Sequence, residues 1–394
     1  MGLYNLYDSE VTLDELKQLI TDQISEKKTV DYKSLLELDG DEKKKEFLAD
    51  MVSFANTDGG FIVYGMNEEA GVPTDLLGIN SSNIDILKGR IESIIRDGIA
   101  PRFNSITVVD VPISENQKAL VIKIPKSWAA PHMVWYKRSS KFFARNSSHG
   151  KYQLEALEIR SLILASENLV NQIRNFRMDR ISKIINKQTP VLVDDDPKFV
   201  LHIIPINSFL NRDIIPISKF ESFLYNPNPL SDYRKEYNFD GFCFHTRFDD
   251  KYPADHYTQI FRNGTLEILN SDFTSIKDQG KIIKGRKYEK YYITQMKTWN
   301  DLIKFLGFNY PLSLMLSILG IKGYKLDIPD DFNFRSSPKP IMQDNLILQD
   351  LLIEENPGEK LSAILKTIYD PVWNACGFAE SINFDLEGKW ISKT

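Results

Sequence analysis

The chain predicts an α/β (α+β) protein built as two lobes. Three observations carry that prediction: strand-like alternation and helical spacing take turns along the first 165 residues, a basic helical stretch interrupts them, and strand and helix patterns resume beyond residue 190. At 394 residues the chain exceeds what one hydrophobic core usually serves. Its 42% hydrophobic and 26% charged residues, with 20 Gly and 18 Pro, exclude a disordered, collagenous or disulfide-built chain. Two cysteines, Cys243 and Cys376, cannot build a cysteine framework or a Cys-rich metal site and read as buried small apolar residues. No apolar run nears the roughly 20 residues needed to cross a bilayer. The opening MGLYNLYDSEVTLDE has neither a basic leader nor an apolar core, so a cytoplasmic protein with no membrane partner is expected.

Taken in order, Leu13, Leu16, Ile20 and Ile24 form a helical stripe opened by acidic residues, as the helix dipole favours. In TVDYKSLLEL, Val30 and Tyr32 alternate with Asp31 and Lys33, the pattern of a half-buried strand with both charges on one face. DEKKKEFLADMVSFAN returns to helical spacing and is stopped by Asn56-Thr57-Asp58-Gly59-Gly60, which supplies the positive φ angles a helix end and tight turn need. FIVYGM reads as a buried strand, with Asn67, Glu68 and Glu69 opening a loop. A helix over Ile84–Ile95 is followed by the strands SITVVDVPI and KALVIKIPK, then by a hairpin around Lys137-Arg138-Ser139-Ser140. One long helical stretch runs from Tyr152 to about Lys187. QTPVLVDDDPK, with a Pro on each side of three Asp, marks a boundary, so the expected organisation is 1–165, a basic linking helix over 166–190, and a second α/β lobe over 191–394. Within that lobe FVLHIIPI, FDGFCFHT and YTQIFRNGTLEIL read as strands, the last a hairpin turning at Arg262-Asn263-Gly264. KYYITQMKTWNDLIKFLGF and PLSLMLSILGI read as helical, and Ile341–Thr394 mixes both signals.

The net charge of −5 conceals a strong asymmetry. Residues 1–115 carry 11 Lys+Arg against 22 Asp+Glu, residues 116–190 carry 14 against 4, and residues 191–394 carry 24 against 28. A basic band between acidic parts either neutralises its neighbours inside the fold or steers a polyanion. The arginines of the long helix divide in the same way between a solvated face and a gripping one.

If the strands over residues 30–33 and 61–66 are neighbours, Glu26, Asp31 and Glu68 converge at one rim. Three carboxylates packed together repel and call for a hard divalent cation, Mg²⁺ or Mn²⁺. Lys33, two residues from Asp31, is then placed to hold a phosphate oxygen, which is the equipment of metal-assisted phosphodiester hydrolysis. Asp-x-Lys arises often by chance, and solvent-facing charges on an edge strand are the alternative. ATP binding has little support: Asp58-Gly59-Gly60 reads as a helix cap, and no Gly-x-x-x-x-Gly-Lys-Ser/Thr loop exists. The five histidines show no H-x-x-x-H spacing, and His202 reads as a core strand residue.

The order of these motifs resembles the Schlafen AlbA-type domain. A Glu lies ahead of V-D-Y-K, a helix ends S-F-A-N-T-D-G-G, and the strand I-V-Y-G-M follows; IAPRFNS, ALVIKIPKS and WYKRSSKFFA continue the likeness over roughly residues 10–165. The resemblance implies a Schlafen AlbA-like mixed sheet with helices and a nucleic-acid-binding role. It also implies, for its ribonuclease branch, a metal held by Glu26, Asp31 and Glu68 with Lys33 beside it. Asp31 stands where the family usually has Glu, Glu68 where the nucleases have Asp, Tyr32 where Phe is usual, and Ser139-Ser140 lacks the hairpin's Gly.

The expectation is a metal-dependent endoribonuclease acting on structured RNA such as transfer RNA, with the resemblance pointing to bacterial stress or phage defence. Lys137, Arg138, Lys141 and Arg145 on the hairpin, with Arg174, Arg177 and Arg180 on the helix, would grip phosphates. Trp128, Trp135, Tyr136, Phe142 and Phe143 lie among them, for base stacking or for core packing. The alternative is a non-catalytic DNA-binding or transcriptional regulatory protein using the same surface. A scaffold that pairs as a homodimer is a third reading.

Overall fold

A computed structural model of the chain describes residues 11–80, 83–103, 106–147, 150–210, 214–216, 219–220, 233–246, 252–277, 280–328 and 337–391. The chain divides into two compact units, Met1–Val170 and Asn171–Thr394. Among the described residues no helix is long and apolar enough to cross a membrane.

The first unit holds α1 (Leu13–Thr21), β1 (Val30–Lys33), α2 (Asp41–Ala55), β2 (Gly59–Tyr64), β3 (Met66–Glu69), β4 (Val72–Leu76), β5 (Ile79–Asn80), α3 (Ile84–Gly98), β6 (Ile99–Ala100), β7 (Thr107–Pro112), β8 (Gln117–Pro125), β9 (Met133–Tyr136), β10 (Ser139–Asn146) and β11 (Gly150–Gln153). Helix α4 (Ala156–Ile185) begins in it. One sheet runs β1-β2-β8-β5, with β7 also on β8; a second runs β11-β10-β9-β6. Strand alternation explains why the first sheet needs helices on both faces. Ile62, Leu120, Ile122 and Ile124 face a core with Phe47, Met51 and Phe54 of α2, whereas Val63, Val121, Val30 and Tyr32 face Leu16 and Leu19 of α1. Helix α1 starts with a capping box, in which Thr12 Oγ1 accepts from the Glu15 N–H and the Glu15 carboxylate accepts from the Thr12 N–H. Glu68 and Glu69, expected in a loop, belong to β3, which pairs with β4 in a hairpin turning at Ala70-Gly71.

The second unit holds β12 (Lys198–Pro205), α5 (Asn207–Leu210), β13 (Arg234–Asn238), β14 (Gly241–His245), β15 (His256–Phe261), β16 (Leu266–Asn270), β17 (Thr274–Lys277), β18 (Gly280–Ile283), α6 (Gly285–Phe305), β19 (Leu312–Leu319), β20 (Lys325–Leu326), β21 (Asn345–Ile347), β22 (Leu351–Ile353) and α7 (Leu361–Ala375). The large sheet runs β13-β14-β15-β16-β12-β19-β21, with β22 also on β19; β17, β18 and β20 form a small one. Phe199, Leu201, Leu314 and Leu316 pack against Tyr288, Tyr292 and Trp299 of α6 and Trp373 of α7. Val200, Tyr257 and Leu269 on the opposite face pack against Ile181 and Ile184 of α4. Cys243 and Cys376 are both buried and free.

PLSLMLSILGI, expected to be helical, is instead β19, antiparallel to β12. Leu312, Leu314, Leu316 and Ile318 enter the α6–α7 core, while Ser313, Met315 and Ser317 point to the other face. Both faces are covered, so apolar side chains occupy parts of both and mask the period of two.

Candidate functional site

The first-unit site is built on the face of β1 opposite α1. Val30 and Tyr32 are fixed in the α1 core, so alternation turns Asp31 and Lys33 to the α2 side. β1 pairs parallel to β2, Asp31 opposite Ile62 and Lys33 opposite Tyr64. That side is closed by α2 and β10. The Arg145 guanidinium donates from Nη1 to Asp31 Oδ2 at 3.0 Å, and it lies 4.2 Å over the Phe54 ring. The Lys33 ammonium sits 3.3 Å from Asp50 Oδ2 and 3.9 Å from Asp31 Oδ2. Lys151 completes the chain of charges at 2.8 Å from Asp50 Oδ1 and 2.5 Å from Glu46 Oε1.

Glu26 enters from the segment before β1. Its Oε1 accepts the Tyr32 N–H at 3.0 Å, and its own N–H donates to the Gly71 carbonyl at 2.6 Å. Burial, a hydrogen bond shared with Asp31 and the charges of Asp31 and Glu68 push the Glu26 carboxyl up to about 7. Burial acts to raise Asp31 as well, but Lys33, the Glu26 hydrogen bond and Arg145 together hold it below its ordinary value. Glu68 accepts the Gly71 N–H across the β3–β4 turn. A cleft of about 600 Å³ opens beside this cluster, lined by Tyr32, Lys33, Glu37, Asn67, Glu68 and Glu69 among others.

The expected rim is therefore partly assembled. Glu26 and Asp31 meet, and Glu68 is near enough to act on Glu26 through its charge. The donor set does not fit a divalent ion as placed, because the position a cation would take beside Asp31 is filled by Arg145 and Lys33. Among the described residues no group of three His, Cys, Asp or Glu side chains is arranged to hold a metal. Lys33, expected to hold a phosphate oxygen, lines the cleft with its ammonium beside Asp50 and Asp31. Asp50, Glu46, Lys151 and the role of Arg145 were not foreseen. The one signal available was Asp50, a charge on the buried side of α2 with Met51 and Phe54.

The expected phosphate-gripping residues separate into two groups. Lys137, Arg138 and Lys141 are exposed on the β9–β10 hairpin, and none of them pairs with a carboxylate among the described residues. Trp135 beside them is 58% exposed. Tyr136 donates to Asp41 Oδ1 at 3.0 Å and packs, like Phe143, on the α2 core. Arg145, Arg177 and Arg180, however, are buried. Arg177 donates to the Leu316 carbonyl at 2.7 Å, to the Leu348 carbonyl at 2.8 Å and to Ser317 Oγ. Arg180 forms a two-pronged pair with Glu267 at 2.9 Å on each oxygen, and Arg174 pairs with Asp350 at 2.8 Å. A guanidinium removed from water needs a carboxylate or carbonyls, and these are supplied from strands far along the chain.

The turn after α2 ties the hairpin to the helix end. Asn56 donates from Nδ2 to the carbonyls of His132 (2.7 Å) and Phe143 (2.9 Å) and accepts the His132 N–H at 2.6 Å. His132 is fixed in turn by the Pro101 carbonyl at 2.8 Å and Ser127 Oγ at 2.6 Å. The Ser127 N–H donates to the Ala55 carbonyl at 2.9 Å. A side chain at Gly60, whose φ is 148°, would sit 2.2 Å from the Thr29 carbonyl oxygen, so only glycine allows β2 to lie against the residue before β1.

Residues 26–152 match the family model described as Schlafen, AlbA_2, which suggests a nucleic-acid-related function. No curated protein matches the chain. Among solved structures, that of the DIP2311 protein from Corynebacterium diphtheriae is similar over 37% of this chain and 28% of that chain, at 16% identity. Its TM-score of 0.26 is too low to carry a structural argument.

Proposed function

We propose that the Schlafen AlbA_2 segment of this chain is a nucleic-acid-binding module that grips structured RNA through the β9–β10 hairpin, without a divalent-metal hydrolytic centre. The observation that carries this reading is the group of exposed cations Lys137, Arg138 and Lys141, which pair with no carboxylate among the described residues, next to exposed Trp135. Cations at a hairpin tip neutralise phosphates whatever the sequence, and an exposed indole offers a stacking surface to an unpaired base. Lys137 turns the hairpin at a φ of 54°, a conformation that Gly or Asn adopts at less cost. Keeping a lysine there is in line with a task for its ammonium. Behind the hairpin, Arg145, Lys33 and Lys151 balance Asp31, Asp50 and Glu46, whereas Glu26 and Glu68 have no cation paired with them among the described residues.

Fluorescence anisotropy with a labelled transfer-RNA-like hairpin and a DNA duplex, in Mn²⁺ and in EDTA, tests the proposal. Lys137→Glu/Arg138→Glu/Lys141→Glu is expected to make the slope of log K against log salt shallower by about 2 to 3 for the RNA. Trp135→Ala is expected to weaken binding roughly tenfold at an unchanged slope. Binding that survives the triple variant sinks the proposal. Mn²⁺-dependent cutting lost in Glu26→Gln establishes the hydrolytic reading in its place, and a preference for the duplex establishes the DNA-binding one.

A further inference from the structure

Strand β7 is an outer strand of the first sheet, since β8 takes β2 and β5 on one side and β7 on the other. Both faces of β7 are covered, Val109 and Val111 by the α1 core and Val108 by the α2 core. Its outer edge is not. The Ile113 N–H donates to the Gln117 carbonyl at 2.9 Å, which fixes the phase of the ladder. Thr107, Val109 and Val111 therefore turn their peptide groups to β8, and Val108, Asp110 and Pro112 turn theirs outward. Pro112, which has no N–H, stands at an outward position, as proline in a sheet must. Among the described residues no backbone group meets that edge. The opposite edge of the same sheet is closed by the chain itself. Glu26 Oε1 takes the Tyr32 N–H, and Lys27 pairs with Val30 through both backbone groups at 3.1 and 3.2 Å. An edge left open and rich in β-branched residues is a template for one more strand.

We infer that a second copy of this chain supplies that strand, β7 against β7 about a two-fold axis at Val109, so that the sheet of one copy continues into that of the other. Direction follows from symmetry. Parallel strands need inward and outward peptide groups staggered by one residue, which a two-fold axis cannot provide, so the pair is antiparallel. Two registers next to the middle of the strand bring outward groups together. An axis at Asp110 sets that carboxylate against its own copy, which like charges disfavour. An axis at Val109 instead sets Val108 opposite Asp110 of the second copy, twice by symmetry, giving four hydrogen bonds with Val109 against its counterpart. It also brings the Ile106 N–H to the Pro112 carbonyl of the second copy, so the donor that proline lacks falls at the end of the ladder. Asp110 brings no unbalanced charge to the contact, because Lys88 and Lys118 hold it within its own chain. Donors, acceptors and side chains of one copy thus match those of the other.

Sedimentation of the full chain tests the inference. A ladder this short is a small contact, so wild type is expected to dimerise over the micromolar range. Val108→Pro removes an outward N–H and no bond to β8, and is expected to raise the dissociation constant at least about tenfold with an unchanged circular dichroism spectrum. Cross-linking tests the register without weakening anything. Both native cysteines are buried, so Val109→Cys with diamide as oxidant should give a covalent dimer. Thr107→Cys is exposed on the same face, but its two copies would lie about 14 Å apart along the ladder, beyond a disulfide's reach. A monomeric wild type, a Val108→Pro dimer as tight as wild type, or equal cross-linking of the two cysteine variants overturns the inference.

Discussion

Asn56 shows how much a single side chain settles in the first unit. Its amide is buried and makes three hydrogen bonds, two with His132 just before β9 and one to Phe143 of β10, and together with the Thr57 hydroxyl, which accepts the Arg145 N–H at 2.9 Å, it references the hairpin to the end of α2. Asn56→Ala leaves two carbonyls and one N–H without a partner. The expected cost is about 3 kcal/mol, read by urea unfolding of the full chain. A loss under 1 kcal/mol would show that water replaces the amide and that the hairpin is held elsewhere. The Asp31–Arg145 pair obeys the same logic. Both are buried, and their sequence separation of 114 made the arginine look like a free cation. Asp31 and Lys33 were legible as charges sharing a face of β1, because alternation is a local property. What stands opposite that face is not local, and this is why Arg145 and Asp50 could not be read as partners of Asp31 and Lys33.

At the scale of elements, β12 and β19 are the centre of the second unit, each flanked by strands and covered on both faces. Their amides are expected to be the slowest to exchange with deuterium, opening only when the unit unfolds as a whole. Hydrogen-exchange mass spectrometry checks this: a 312–319 peptide exchanging as fast as exposed β13 would show that β19 is not a central strand. That strand is also where the sequence misled. Pro311 before it and the run Leu312, Leu314, Leu316, Ile318 have strand character, but Met315 and Leu319 on the other face broke the alternation enough to read as a helix. By contrast β1 was legible because charged and apolar residues alternate along it, and β2 and β8, covered on both faces, because each is a short apolar run bounded by Gly or Pro. The arginines of α4 misled for the complementary reason. Helical spacing locates a face, but whether that face meets water or Glu267 and Asp350 is decided by segments 87 and 173 or more residues away.

Across the whole molecule, charge is handled by burial in opposed ways, and this sets a pH optimum. Glu267 is fully enclosed, and although burial acts to raise it, hydrogen bonds from Arg180 and His202 bring its carboxyl down to about 2. Its folded value lies below the ordinary 4.5, so its stabilisation is complete above pH 4.5 and is lost as pH falls toward 2. Glu289 is the reverse. It accepts from Trp373 Nε1 at 2.7 Å, Asn383 Nδ2 at 2.7 Å and Ser381 Oγ at 2.9 Å, and burial pushes it up to about 7. Its contribution is complete below pH 4.5 and disappears as pH rises through 7, because the folded state holds a proton that the unfolded chain releases. Glu289 joins α6, α7 and the segment around Ser381, so ionising it loosens the join of all three. Chemical unfolding between pH 4.5 and 8 is expected to show wild type losing on the order of 2–3 kcal/mol relative to Glu289→Gln, whose amide cannot ionise. Parallel pH profiles for the two proteins would mean that the three donors already hold Glu289 as a carboxylate, and that the decline above neutral pH arises at another group.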